Sequence, residues 1–182
     1  NSSAGGSLQA HLQIRDDLAP MLQSQLDETA RAVVTLFAEQ DQSGGGGADM
    51  PGLFTWGTGA IPTAGTRVDG IASQIAVNAA VDSSQGGDPT LLRDGGINGA
   101  SYSYNTTGAP GFSSRLDDLV TSLDTPIAFD SSSLLGSSKG LINFAADSLG
   151  WLELTRSDAT SSLETKEAFN AQIQRTLSNS TG

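Results

Sequence analysis

The chain has 182 residues, nine Lys plus Arg against twenty Asp plus Glu, one His and no Cys, for a formal charge of -11. The absence of Cys removes disulfide frameworks, thiolate metal sites and cysteine nucleophiles, and His11 has no second His with which to form a cluster. The acidic excess disfavours nucleic acid as a partner. No apolar run approaches the ~20 residues that cross a bilayer, and no basic, apolar, small-residue leader opens the sequence.

Helical signals lie at the two ends and a Gly-, Ser- and Asp-rich stretch lies between them, which divides the chain into 1–43, 44–138 and 139–182. After Gly5-Gly6, Ser7 is placed to cap a short helix carrying Leu8, Leu12 and Ile14. Pro20 cannot donate to a preceding turn, so a break or bend is expected there, with Asp16 or Asp17 capping a helix that continues to Gln42. Leu22, Leu26, Ala30, Val33 and Phe37 form one apolar stripe, and Asp27, Glu28, Arg31 and Glu39 fall largely off it. Gly44 to Gly47 ends that helix and reads as a flexible linker.

In the middle, Leu53 to Trp56, Arg67 to Asn78, Ser101 to Thr106 and Pro126 to Asp130 read as extended segments, of which Ile71 to Asn78 alternates best. Phe112 to Leu123 predicts a short helix, with Ser113 or Ser114 assisting its start. From Lys139-Gly140 to Ser178, Leu141, Ala145, Leu152, Ala159, Leu163, Ile173 and Leu177 share a lattice with Phe144, Leu149 and Phe169 beside it. This predicts a helix of about 60 Å at 1.5 Å per residue. Gly150 and the Ser/Thr cluster at Thr160 to Ser162 are its weak points, and two helices with a bend are the alternative. The fold class is α+β, mainly helical: long antiparallel terminal helices forming a coiled-coil-like rod, with a small mixed region between them.

Motifs that carry chemistry are sparse. Gly44 to Asp49 matches one unit of a calcium-binding repeat that functions only when stacked. Asp82, Asp88 and Asp94 lack EF-hand spacing and read as turn formers or N-caps, as does the pair Asp117-Asp118. Gly57-Thr58-Gly59 lacks the third Gly of a nucleotide fingerprint, and no nucleophile elbow accompanies His11. Trp56 and Trp151 read as core or interface anchors, with a binding platform as the alternative. No catalytic, cofactor or metal residue is assigned, and the chain is expected not to be an enzyme.

Gly5-Gly6-Ser7-Leu8, Leu12, Ile14-Arg15-Asp16-Asp17, Gln23-Ser24-Gln25-Leu26-Asp27-Glu28-Thr29-Ala30 and Phe37 resemble the N-terminal inner-rod segment of the flagellar hook-associated protein 1 family, the hook–filament junction proteins. Ile75-Ala76-Val77-Asn78, Asp88-Pro89 and Leu91-Leu92 look like that family's extended segment and the stretch after it. Arg175 to Gly182 resembles the approach to a Gly-Val-Asn-Leu-Asp-Glu-Glu signature. The resemblance covers about the first fifty and last forty residues well and the middle loosely. A flagellin or hook-associated protein 3 relative shares the same inner rod, and an extracellular binding domain or a carboxylate-dependent glycan hydrolase are the competing classes. The resemblance implies an axial structural protein exported without a cleaved signal peptide to the bacterial flagellum. Its implied partners are the hook protein, neighbouring junction subunits, filament-side axial proteins and an export chaperone, with neither nucleic acid nor membrane. It also places the outermost tube-forming helices outside this sequence, which implies a monomer in solution.

The expected rod packing sets Leu22, Leu26, Val33 and Phe37 against Leu152, Leu163, Phe169 and Ile173, with Leu177 continuing the seam. On that expectation Leu26→Asp unfolds the rod.

Overall fold

The computed structural model describes residues 2–57 and 59–181, and the side chains of 6, 8–57 and 59–180. The fold is mainly helical, with a long C-terminal helix and two small antiparallel sheets. Contacts divide it into a unit that runs up to Ala145 and a second from Ala146 onward.

Helix α1 (Ser2–Gln13) is already formed upstream of Ser7, which therefore lies inside it rather than at its cap. A π-helical turn at Ile14–Leu18 leads directly into α2 (Ala19–Leu36). The Ala19 N–H donates to the Ile14 carbonyl, five residues back, immediately before Pro20. A wider turn at this point accommodates the ring and missing N–H of Pro20 without ending the helix. The expected break is thus a change in hydrogen-bond period. Helix α2 stops at Leu36, short of Gln42, because Phe37 to Glu39 turn into loop, and Glu39 exchanges both backbone hydrogen bonds with Met50.

Strand β1 (Phe54–Thr55) pairs antiparallel with β2 (Ala76–Val77), in the register Phe54↔Val77 and Thr55↔Ala76. Gly52, just before β1, lies so close to the Phe37 carbonyl that a Cβ would collide with it. The alternation from Ile71 onward does not make a long strand: Ile71–Ser73 is a 3-10 turn. Ser101 to Thr106 is likewise mostly turn, with a 3-10 segment at Ala100–Tyr102 and a single bridge between Gly95 and Ser103. Helices α3 (Thr90–Asp94) and α4 (Ser114–Asp124) follow, with Ser113 as the α4 N-cap residue, its hydroxyl donating to Asp117. Strand β3 (Ile127–Ala128) pairs antiparallel with β4 (Ser138–Lys139).

Helix α5 (Leu141–Thr181) is one helix of 41 residues that passes through Gly150 and the Ser/Thr cluster unbroken. Its first turn belongs to the larger unit, where Leu141 and Phe144 join Ala32 and Phe129 in one apolar cluster. The Phe129 and Phe144 rings stack with centroids 3.9 Å apart. A second cluster gathers Ala30, Val34 and Ile71, with Phe54, Trp56 and Ile75 against it. Helix α2 contributes to both, so it is the core element of the larger unit.

Candidate assembly surface

The two faces of α2 are arranged differently from what its apolar stripe predicts. Ser24, Gln25, Asp27, Glu28, Ala30, Arg31, Ala32 and Val34 are buried, positions that at 100° per residue wrap more than half of the helix circumference. The charged side chains of that arc each hold a loop.

The Asp27 carboxylate accepts the backbone N–H groups of Gly70 and Ala72, at 2.9 and 3.0 Å, and the Gln23 side chain at 3.0 Å. These bonds fold Gly70 to Ser73 into its 3-10 turn, with Gly70 at a φ of 77° that favours glycine. Glu28 accepts two hydrogen bonds from Arg31, at 2.8 and 3.0 Å, and one from the Asp130 N–H at 2.7 Å. Arg31 also donates to the Ala128 carbonyl at 2.6 Å and lies 5.7 Å from the Phe129 ring centroid. Beyond the helix end, Glu39 accepts the backbone N–H groups of Ile97 and Asn98 and the Asn98 amide. A buried carboxylate survives only when its lone pairs are served in this way.

The remaining face of α2 holds the predicted stripe. Leu26 is 46% exposed and Leu22 is half-buried within the described chain. Val33 packs against the cluster of Ala32, Phe129, Leu141 and Phe144, and Phe37 meets Phe54 edge-on at 5.4 Å between centroids. Upstream, Leu8, Leu12 and Ile14 are also exposed.

In the second unit the pattern is starker. Leu149, Leu152, Leu163, Phe169, Ile173 and Leu177 are all exposed, between 41% and 66%. Trp151 is half-buried. These residues form a recurring apolar set along one helix that is left exposed.

The other residues singled out in the sequence have local roles. Asp82 caps the turn Ser83–Gln85 by accepting from Ser84, and Gln85 and Ser84 together hold its carboxyl below the ordinary range. Asp88 accepts from Thr90 by both backbone and hydroxyl, which lowers its pKa. Asp94 is pulled down to about 2, first by Arg93 and then by Asn105. Asp41 folds the Gly-rich segment around itself, accepting from the Ser43 and Gly47 N–H groups, so part of the expected linker is an ordered turn. The Trp56 indole donates to Ala60, and His11 is exposed on α1. Thr58 of Gly57-Thr58-Gly59 and Gly182 of the C-terminal signature lie outside the described residues. Among the described residues no group of three His, Asp or Glu is placed to hold a metal, and no helix is long and apolar enough to cross a membrane.

Asp27, Glu28, Arg31 and Glu39 were legible as helix positions off the stripe, but not as the buried face. The available signal is their own helical period: Ser24, Glu28 and Arg31, with Asp27 beside them, recur at three and four like the leucines.

No protein-family model, curated protein or solved structure matches this chain.

Proposed function

We propose that the chain is a structural subunit of the bacterial flagellum, of the hook–filament junction type, that works by mechanical coupling and carries out no chemical step. The observation that carries this reading is the exposed apolar series of α5, from Leu149 to Leu177. Burying a Leu or Phe side chain stabilises by about 1.5–3 kcal/mol, so six exposed ones represent a large unused driving force for association. The resemblance of residues 5–37 and 175–182 to the junction family's inner rod supports the choice of assembly.

The finer architecture we propose is an antiparallel rod completed on assembly, in which the N-terminal helical stretch offers Leu22 and Leu26 to Leu152, Leu163, Phe169 and Ile173. Val33 and Phe37 are engaged elsewhere and take no part. Head-to-tail contacts of this kind join subunits into an open helical layer. The partners are the hook protein, neighbouring junction subunits and filament-side axial proteins, with an export chaperone before assembly, and the location is extracellular.

Immunogold electron microscopy of the organism that makes the protein tests the reading. Antibody to the chain is expected to mark the boundary between hook and filament. Label spread over the cell envelope or confined to the cytoplasm would overturn it.

A further inference from the structure

The sequence holds one Asn-Gly pair, Asn98-Gly99, in the loop between α3 and α4. In such a pair the glycine nitrogen reaches the Asn side-chain carbon unhindered, because no Cβ stands beside it. Here the Asn98 carboxamide is committed elsewhere: its Nδ2 donates to Glu39 Oε2 at 2.8 Å and to the Pro51 carbonyl at 2.8 Å. The Asn98 backbone N–H donates to the same Oε2 at 3.0 Å, and the Ile97 N–H donates to Oε1 at 3.1 Å. The Gly99 N–H is engaged as well, donating to the Gly96 carbonyl at 3.0 Å.

Glu39 is fully buried, and among the described residues it pairs with no cation, unlike Glu28, which has Arg31. A buried carboxylate without a countercharge depends on its N–H donors. Glu39 has three of them on its side chain, and two belong to Asn98. Asn98 is half-buried and Gly99 is exposed, so solvent meets this loop at the Asn-Gly pair.

We propose that Asn98 is a deamidation site guarded by the Glu39 clamp, and that conversion there releases the loop irreversibly. While the clamp is closed, both the carboxamide and the Gly99 amide are held by other partners, so reaction begins only when the loop opens locally. The Gly99 nitrogen then bonds to Asn98 Cγ, the Cγ–Nδ2 bond breaks, and the Gly99 proton leaves with Nδ2 as ammonia. Water opens the resulting succinimide, giving aspartate or isoaspartate at position 98. Two donors are thereby replaced by a carboxylate that only accepts, facing the Glu39 carboxylate and the Pro51 carbonyl. Two carboxylates at hydrogen-bond distance repel, so the loop does not close again in its former register. This site is independent of the apolar series on α5, so it stands or falls apart from the flagellar reading.

The test follows Asn98 by peptide mass spectrometry while the wild-type chain is held at mildly alkaline pH, in buffer and in concentrated urea. Deamidation is expected to be at least about tenfold slower in buffer, where the clamp must open first. Amide hydrogen exchange reads the clamp itself. In Asn98→Asp the Ile97 amide should exchange at least about tenfold faster than in wild type, while the Gly70 and Ala72 amides held by Asp27 keep their rates. Adding Glu39→Gln to Asn98→Asp removes one of the two charges and supplies a donor, and should recover much of the lost midpoint of urea unfolding. Should Asn98→Asp not fold alone, folding of the double variant takes the place of the midpoint, and its failure overturns the proposal. So does deamidation as fast in buffer as in urea, an unchanged Ile97 exchange rate in Asn98→Asp, or a double variant less stable than Asn98→Asp.

Discussion

Asp27 illustrates how a single side chain decides local structure. Its carboxylate is the acceptor for two backbone N–H groups of the turn at Gly70 to Ser73, which carries Ile71 into the core against Ala30 and Val34. Removing it strands two part-buried donors, each worth about 1–3 kcal/mol when unsatisfied. Asp27→Ala is therefore expected to lower stability by about 3 kcal/mol, read from the midpoint of urea unfolding, whereas Asp69→Ala, at an exposed partner of Arg67, should change it little. Equal effects of the two would mean that burial of Asp27 is not what holds the turn. Helix periodicity reveals that Asp27 is off the apolar stripe, but it cannot reveal that loop amides converge on it, because those amides come from forty residues away.

At the scale of elements, α2 and α5 present the same sequence signal with opposite outcomes along their lengths. Phe144, at the start of α5, is fully buried in a stacked aromatic pair, while Phe169 further along is 63% exposed. Phe144→Ala should cost about 3–5 kcal/mol of unfolding free energy, as core aromatic truncations do. Leu26→Asp, on the exposed face of α2, should fall within about 1 kcal/mol of wild type in the isolated chain. Circular-dichroism melts compare the two directly, and a large loss for Leu26→Asp would show that its stripe is already covered. The helix assignments of α4 and α5 were legible because four or more apolar residues share a face in each. The strand expected from Ile71 to Asn78 was not, since its period-two pattern is short and the carboxylate of Asp27 imposes a turn on its first half.

For the whole molecule, the acidic balance makes stability depend on pH in a definite direction. The Asp94 carboxyl is held at about 2 by Arg93 and Asn105, against 3.8 for the free group, and Asp41, Asp82, Asp88 and Asp130 are lowered too. A depressed carboxyl pKa means that the unfolded chain binds protons first. The stabilisation is complete above about pH 4 and is lost as the pH falls through about 2. Thermal unfolding followed between those values should show a falling midpoint, and Asp94→Asn should flatten part of the slope. A midpoint indifferent to pH over this range would contradict the proposed hydrogen bonds of these turns.

Composition and periodicity alone determined that the chain is mainly helical, that its longest helix is C-terminal, and that cysteine chemistry has no place in it, because these follow from residue inventory and local spacing. Which side of α2 is buried was decided only by tertiary structure. That face joins Ala30, Ala32 and Val34, which enter the apolar clusters, to Asp27 and Glu28, which satisfy loop amides, and those partners exist only after residues far apart in the chain have met.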